Sequence, residues 1–230
     1  MVRHIGIVAC SAEGAALCYR TICSEGARLL SEHGHPEVSM HSQSLAEYVR
    51  CLERDDWPGV AELMLASATK LAAIGADFLI CPDNTIHQAL PHVEGRSPLP
   101  WLHIARVVAE EAAARGFRRI GITGTRWLVD SDTYPRELTA RGLDYLRPGD
   151  ADRDEMSRII MDELVYGDFR SESVAYFQNV IRGMKEAGCD AVALACTEIP
   201  LIIDDANSAL PTLDSTRLLA MAALRRAVEA

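Results

Sequence analysis

Gly75-Ala76-Asp77-Phe78-Leu79-Ile80-Cys81 and Gly188-Cys189-Asp190-Ala191-Val192-Ala193-Leu194 are two versions of one pattern, 113 residues apart. In each, a Gly-x-Asp turn closes a helical stretch and releases the chain into an apolar run, as a helix C-cap followed by a short connection and a buried strand should. Upstream, Arg3-His4-Ile5-Gly6-Ile7 has its counterpart in Arg118-Arg119-Ile120-Gly121-Ile122, 115 residues later. Downstream stand two polar triplets, Asp83-Asn84-Thr85 and Cys196-Thr197-Glu198, again 113 apart. Each triplet leads to a Pro-containing strand entrance, Leu99-Pro100-Trp101-Leu102 and Leu210-Pro211-Thr212-Leu213. A single matched pair of βα units is common. Two pairs in the same order, with offsets differing by two, point to an internal repeat.

The rest of the chain fits that repeat. Residues 4–8, 38–41, 78–81, 120–123 and 191–195 read as short strands bounded by Gly, Pro, Asp or Ser. Residues 13–33, 60–74, 104–115, 153–165, 171–187 and 215–228 read as helices. Alternation of this kind implies βαβ crossovers and parallel sheets with covered faces. The expected fold is α/β: two similar parallel-sheet halves related by a pseudo-twofold axis, with the active site in the cleft between them. Residues 1–101 plus 207–230 are expected in the first half and 102–206 in the second, the final helix returning to the first.

Composition limits the partners. The 230 residues carry 23 Lys and Arg against 33 Asp and Glu, a formal charge of −10. Such a chain offers no basic surface to nucleic acid or to an anionic membrane, and neither partner is expected. No apolar run approaches the roughly 20 residues needed to span a bilayer. The chain enters an apolar strand at once, so no secretory leader is expected. The seven cysteines are scattered without CxxC pairs, which suits a reducing cytoplasm and thiols that act as small buried hydrophobes. His33 and His35 flank Gly34 without a third ligand, so no metal site is expected.

In parallel α/β sheets, ligands bind outside the carboxyl ends of strands. Both polar triplets are expected there, each opening a helix whose first N–H groups, with the hydroxyls of Thr85 and Thr197, suit a carboxylate. If the halves face each other, Asp83 and Cys196 become counterparts. That is the geometry for removing a proton from one face of a carbon and returning one to the other. Inert readings exist for each: Asp83 as a helix cap, Glu198 as a helix-start charge, Cys196 as a buried strand-end thiol, His87 as a structural imidazole.

Leu194-Ala195-Cys196-Thr197-Glu198-Ile199-Pro200-Leu201-Ile202 resembles the second catalytic motif of the aspartate/glutamate racemase family. Cys81-Pro82-Asp83-Asn84-Thr85-Ile86-His87 resembles the first, in which a Cys commonly precedes Asn-Thr. Gly124-Thr125-Arg126, the segment Asp162 to Phe169, and Leu213-Asp214-Ser215-Thr216 add to the resemblance, which spans essentially the whole chain. It implies inversion of an amino acid, acidic or a related carboxylate, by two bases without pyridoxal phosphate, metal or other cofactor. Asp83 and Cys196 would be those bases, with Ser11, Gln43, Asn84, Thr85, Thr125, Thr197 and Glu198 around the substrate. It also implies a cytoplasmic homodimer.

The chain departs from the family at telling positions. Asp83 replaces the first thiol, so the two half-reactions are expected to be unequal; Cys81, two residues earlier, is read as packing. Gln43 stands where members specific for acidic amino acids often carry Arg, and Val165 where they often carry Lys. Arg50 and Arg126 are the available substitutes. The first loop has Ala9-Cys10-Ser11-Ala12-Glu13-Gly14 in place of a Gly-rich stretch, leaving Ser11 and Gly14 as pocket candidates. Two rival readings keep the fold: a decarboxylase or cis–trans isomerase of a small dicarboxylic acid using Cys196, and a non-catalytic amino-acid-binding relative.

Overall fold

The computed structural model describes residues 1–229. Its contacts divide the chain into two units, Met1–Ile104 with Leu219–Ala230, and Ala105–Leu218.

The first unit runs β1 (Ile5–Ala9), α1 (Ala12–Gly26), β2 (Val38–Ser42), α2 (Leu45–Leu52), α3 (Trp57–Ala73), β3 (Phe78–Ile80), a 3-10 turn (Thr85–Ala89) and α4 (Leu90–Val93). Its three strands are parallel in the order β2-β1-β3. The second unit runs through α5 (Ile104–Ala114), β4 (Arg119–Thr123), α6 (Arg126–Val129), α7 (Thr133–Thr139), β5 (Asp144–Leu146) and α8 (Asp150–Asp162). A 3-10 turn (Leu164–Tyr166), α9 (Ser171–Glu186), β6 (Ala191–Leu194), another 3-10 turn (Ile199–Leu201) and β7 (Thr212–Asp214) follow, and α10 (Ser215–Val228) ends the chain. Its strands are parallel in the order β5-β4-β6-β7.

The repeat read from the sequence is present in the hydrogen-bond register. Ile5 pairs with Phe78 in the first sheet, and their counterparts Ile120 and Ala191 pair in the second. Even the fourth strand has a trace in the first sheet. Leu79 bridges Trp101 there, as Val192 pairs with Thr212. The Leu79 N–H donates to the Pro100 carbonyl at 2.8 Å, and the Val192 N–H to the Pro211 carbonyl at 3.0 Å.

The same local physics operates at each repeated residue. Gly75 and Gly188 follow α3 and α9 with φ of +92° and +90°, a conformation that any side chain would strain. Two residues on, Asp77 accepts the His4 N–H at 2.7 Å, and Asp190 accepts those of Arg118 and Arg119 at 2.8 and 3.0 Å. The Gly-x-Asp turn thus ends a helix and ties down the entrance of the central strand. Gly6 and Gly121 admit close packing: an added Cβ would lie 2.7 Å from Leu79 Cδ2 in one case and 2.5 Å from Met184 Sδ in the other.

Strand alternation sorts the second core into two layers. Ala191 and Ala193 of β6 pack with Val108, Ile120 and Leu138, whereas Val192 and Leu194 pack with Ile159, Phe177 and Ile181. In the first unit every residue of β1 and β3 is buried, which is why both read as continuous apolar runs.

Several boundaries differ from expectation. Helix α1 stops at Gly26 rather than at residue 33, and Gly26 packs so closely on Gly34 and His35 that a Cβ there would lie 2.6 Å from the Gly34 carbonyl oxygen. Helix α2 is amphipathic, with Tyr48 and Leu52 buried, and is not among the expected helices; α6, α7 and strand β5 are too short to show a period. Residues 207–218 fall with the second unit rather than the first, because β7 hydrogen-bonds to β6 and only the later part of α10 belongs to the first.

Candidate active site

In the first unit, β3 ends at Ile80 and the chain continues through Cys81, Pro82 and Asp83. Within residues 81–87 only Asp83 is not fully buried. Its Oδ1 accepts the Ile86 N–H at 3.1 Å, so the carboxylate also caps the turn at Thr85–Ala89. The expected α-helix opening is therefore a 3-10 turn, and one of the N–H groups assigned to a ligand is already taken by Asp83. Asn84 and Thr85 are buried in the same turn. His87 fixes it from behind: its ring meets the Asp83 carbonyl at 2.6 Å and the Ile104 N–H at 3.2 Å. Burial, with the His103 ring 4.9 Å away, lowers the His87 pKa to about 3, and the imidazole is neutral.

Cys81 has no exposed surface, and burial followed by the Asp83 charge pushes its thiol well above the ordinary value. It is a packing thiol. Ser11 is the N-cap of α1, its Oγ accepting the Gly14 N–H at 3.4 Å, so both pocket candidates of the first loop serve the helix start. Gln43 donates through Nε2 to the Leu63 carbonyl at 2.7 Å, which ties it to α3.

The second unit repeats the arrangement with different chemistry. Within residues 191–200 only Cys196 is not fully buried. Its Sγ donates to Glu198 Oε2 at 2.9 Å, and Thr197 Oγ1 donates to the same oxygen at 3.1 Å. Here too a 3-10 turn replaces the expected helix, and the Ile199 N–H is spent on the Cys196 carbonyl at 3.2 Å. Thr125, buried at the start of α6, follows Gly124, where a Cβ would stand 2.9 Å from the Ala195 carbonyl oxygen. The loops after β4 and β6 are thereby in contact. Among the described residues, no three His, Cys, Asp or Glu side chains are placed to hold a metal ion.

Asp83 and Cys196 thus occupy one position of the repeat, five residues beyond Phe78 and Ala191, which pair identically with the central strands. The sequence from residue 7 to residue 223 matches the family Asp/Glu/Hydantoin racemase. The chain belongs to that family. It is an isomerase of the racemase type. A candidate Asp/Glu racemase from Yersinia pestis, 28% identical, superimposes with a TM-score of 0.89 over 99% of this chain and 100% of its own. An aspartate racemase homologue from Pyrococcus horikoshii OT3, 25% identical, gives 0.84 over 99% and 100%. The broad specificity amino-acid racemase RacX of Bacillus subtilis (strain 168) is 22% identical over 187 residues, 81% of this chain and 79% of its own.

Within this racemase-family chain the two arginines named as substitute cations are already ion-paired. Arg126 pairs with Asp130 at 3.1 Å, with Asp154 and, at 3.9 Å, with Asp150. Arg50 pairs with Glu47 on the exposed face of its own helix. The segment Asp162 to Phe169 is organised by Glu163, a buried carboxylate that accepts from Ser173, from Arg158 at 3.0 Å and from Arg170 at 3.5 Å. Hydrogen bonding from Ser173 outweighs its burial and holds its pKa below the usual carboxylate range.

Two residues near the candidate bases escaped the sequence reading. Tyr48 of α2 and Tyr134 of α7 are sealed in the interior, and burial pushes both phenols far above their ordinary value. Cys81, Cys10 and Asp83 add to the effect on Tyr48. Asp214 and Cys196 add to it on Tyr134, which a hydrogen bond with Ser215 opposes. Each is a neutral hydroxyl at working pH. An aromatic on an amphipathic helix carries no mark that separates such a position from ordinary core. Among the described residues no helix is long and apolar enough to cross a membrane.

Proposed function

We propose that this chain racemises or epimerises an amino acid by a two-base mechanism in which Asp83 and Cys196 act on opposite faces of the α-carbon. The observation that carries the reading is their shared place in the repeat: within residues 81–87 and 191–200 each is the one residue that is only partly buried. The reading takes the two halves to be related by a pseudo-twofold axis, with the substrate in the cleft between them. In one direction the Asp83 carboxylate removes the Cα proton and the Cys196 thiol protonates the other face. In the other, a Cys196 thiolate removes it and a protonated Asp83 supplies the replacement. The carbanion is weakly stabilised on its own, so preorganised donors must meet the developing enolate charge. Asn84, Thr85, Thr125 and Thr197 supply polar groups at the strand ends for that purpose. The enzyme would work in the cytoplasm, as a homodimer, without a cofactor.

The side chain accepted is open to argument from charge. An acidic substrate needs a cation in the pocket. Gln43 and Val165 supply none, and Arg50 and Arg126 are already paired. This favours an uncharged side chain over aspartate or glutamate, in keeping with the broad specificity of the Bacillus subtilis relative.

Incubation with pooled amino acids in heavy water tests the reading. One or more amino acids should gain deuterium at Cα and appear as both enantiomers. No exchange with any amino acid by folded enzyme, or full exchange by Cys196→Ala, would overturn it. Release of carbon dioxide from a malonate-like acid, without Cα exchange, would establish the decarboxylase instead.

A further inference from the structure

The peptide that leads into Cys196 is held at both of its polar atoms. The Ala195 N–H donates to the Thr123 carbonyl at 3.1 Å, and the Leu194 carbonyl accepts the Ser215 hydroxyl at 2.7 Å. The first bond extends the ladder between β6 and β4. The second has another origin. Strand β7 ends at Asp214, the register partner of Leu194, and the chain turns at once into α10, so the strand stops before it can serve that carbonyl. The side chain of the first helical residue serves it instead. Ser215 is sealed in the interior, as is Tyr134 of α7, which hydrogen-bonds to it. The direction of that bond follows from counting protons. Ser215 has one hydroxyl proton and gives it to Leu194, so the Tyr134 phenol must be the donor. A directed chain therefore runs from the phenol through Ser215 to the backbone two residues before Cys196.

The first unit makes the same tie with other atoms. Ile104 opens α5 three residues after Trp101, which bridges Leu79; Ser215 opens α10 three residues after Thr212, which pairs with Val192. The two residues thus hold one position of the repeat. In the first unit the His87 imidazole joins the Ile104 N–H to the Asp83 carbonyl. In both units the first residue of the helix after the last strand position is bound to the segment that carries the candidate base. The atoms differ and the place is shared. Filling the core requires neither hydroxyl of the second unit, since Phe and Ala would bring no buried polar atom to satisfy.

We propose that Tyr134 and Ser215 are positioning residues for Cys196, fixing the plane of the Leu194–Ala195 peptide and with it the direction in which the thiol is presented. This rests on Cys196 being a reacting group of the proposed function. Both residues are sealed and act through the backbone. With its carbonyl and its N–H both engaged, the peptide cannot rotate, and the turn at Cys196 starts from one fixed direction. Loss of the Ser215 hydroxyl releases the carbonyl outright. Loss of the phenol lets the Ser215 hydroxyl turn away from Leu194, a smaller release.

The test compares full-length wild type with Ser215→Ala and Tyr134→Phe. Hydrogen–deuterium exchange of the Ala195 amide, read by mass spectrometry on peptides that bracket it, should quicken at least about tenfold in Ser215→Ala and less in Tyr134→Phe. Substrate Cα exchange is measured at a temperature where each variant is fully folded. There kcat should fall about tenfold to a hundredfold in Ser215→Ala, as misaimed reacting groups do, while KM stays within about twofold. A residue that only filled the core would lower the unfolding temperature and leave kcat of the folded enzyme unchanged. Tyr134→Phe, which removes one oxygen and keeps the ring, decides the matter if Ser215→Ala does not fold. An unchanged Ala195 amide, or an unchanged kcat in the folded variants, would overturn the proposal. If wild type exchanges no amino acid at Cα while the Ala195 amide still quickens in the variants, the tie to Cys196 stands and the racemase reading falls.

Discussion

His87 holds Asp83 by its backbone: the ring Nδ1–H donates to the Asp83 carbonyl at 2.6 Å while Nε2 accepts the Ile104 N–H at 3.2 Å. A carbonyl can only accept and an N–H can only donate, so the imidazole must be neutral with its proton on Nδ1. One residue therefore joins the turn that carries Asp83 to the first residue of α5. Its protonation would break the contact with Ile104 and place an unpaired charge in the interior beside His103.

Acid should therefore destabilise the protein through His87. Its folded pKa of about 3 lies below the roughly 6.5 of an unfolded histidine. Above the unfolded value neither state binds the proton and the contribution is whole. As pH falls from about 6.5 toward 3, the unfolded state takes up the proton first, and stability drops by up to about 1.4 kcal/mol per pH unit. Urea unfolding at pH 7, 6 and 5 should show this loss, and His87→Gln should reduce the slope. Equal slopes in both proteins would show that His87 is not the titrating group.

Asp83 caps a turn and, in the proposed function, serves as a base, and substitution can separate the two. Asn caps helices about as well as Asp, so Asp83→Asn should unfold within about 0.5 kcal/mol of wild type. It should nevertheless lose about a hundredfold or more in Cα exchange, since an amide cannot serve as base. Asp83→Ala should lose the same activity and also about 1 kcal/mol of stability, because the Ile86 N–H is left without its acceptor. If Asp83→Asn retains activity, capping is the whole of its role.

Glu163 should be a stability residue with a distinct acid dependence. Replacing it with Ala strands Ser173 in the interior and frees Arg158 and Arg170, at a cost of about 2 kcal/mol. Because its folded pKa is depressed, its contribution is present above the unfolded carboxylate value and is lost as pH falls through the folded one. Chemical denaturation of Glu163→Ala should show the deficit at pH 7 and a smaller one at pH 3. Equal deficits at both pH values would mean that packing, not charge, explains Glu163.

The parts of the fold legible in the sequence are those that one physical rule writes twice. Gly75 and Gly188, Asp77 and Asp190, and the two apolar runs after them are each required by the same turn, so they survive in both halves. Helices α6 and α7 are too short for a period to stand out, and β5 is three residues with an exposed end. Asp83 and Cys196 could be placed at equivalent positions after β3 and β6 because strand ends are countable. The direction of Glu198 could not. A residue two positions past Cys196 reads the same from spacing whether it meets substrate or turns inward to the thiol, and only packing decides. Tyr48 and Tyr134 were silent for a related reason, since burial of a helical aromatic is the default.

Under the proposed function, the charge at Arg126 bears on which amino acids would be accepted. Its guanidinium is shared among Asp130, Asp150 and Asp154, three carboxylates against one cation. These contacts, not burial, lead the upward shift of its pKa, with the Asp154 hydrogen bond first. A substrate carboxylate would have to displace one of these acids and would meet the repulsion of the others. Neutral amino acids meet no such opposition. The kcat/KM for the best uncharged amino acid should therefore exceed that for aspartate by about tenfold or more, one misplaced charge contact being worth about 1.4 kcal/mol or more. Asp154→Asn, which loosens Arg126, should narrow that gap. A panel of amino acids assayed by Cα exchange decides the point: a preference for aspartate or glutamate would place a cation in the pocket that these arginines do not supply.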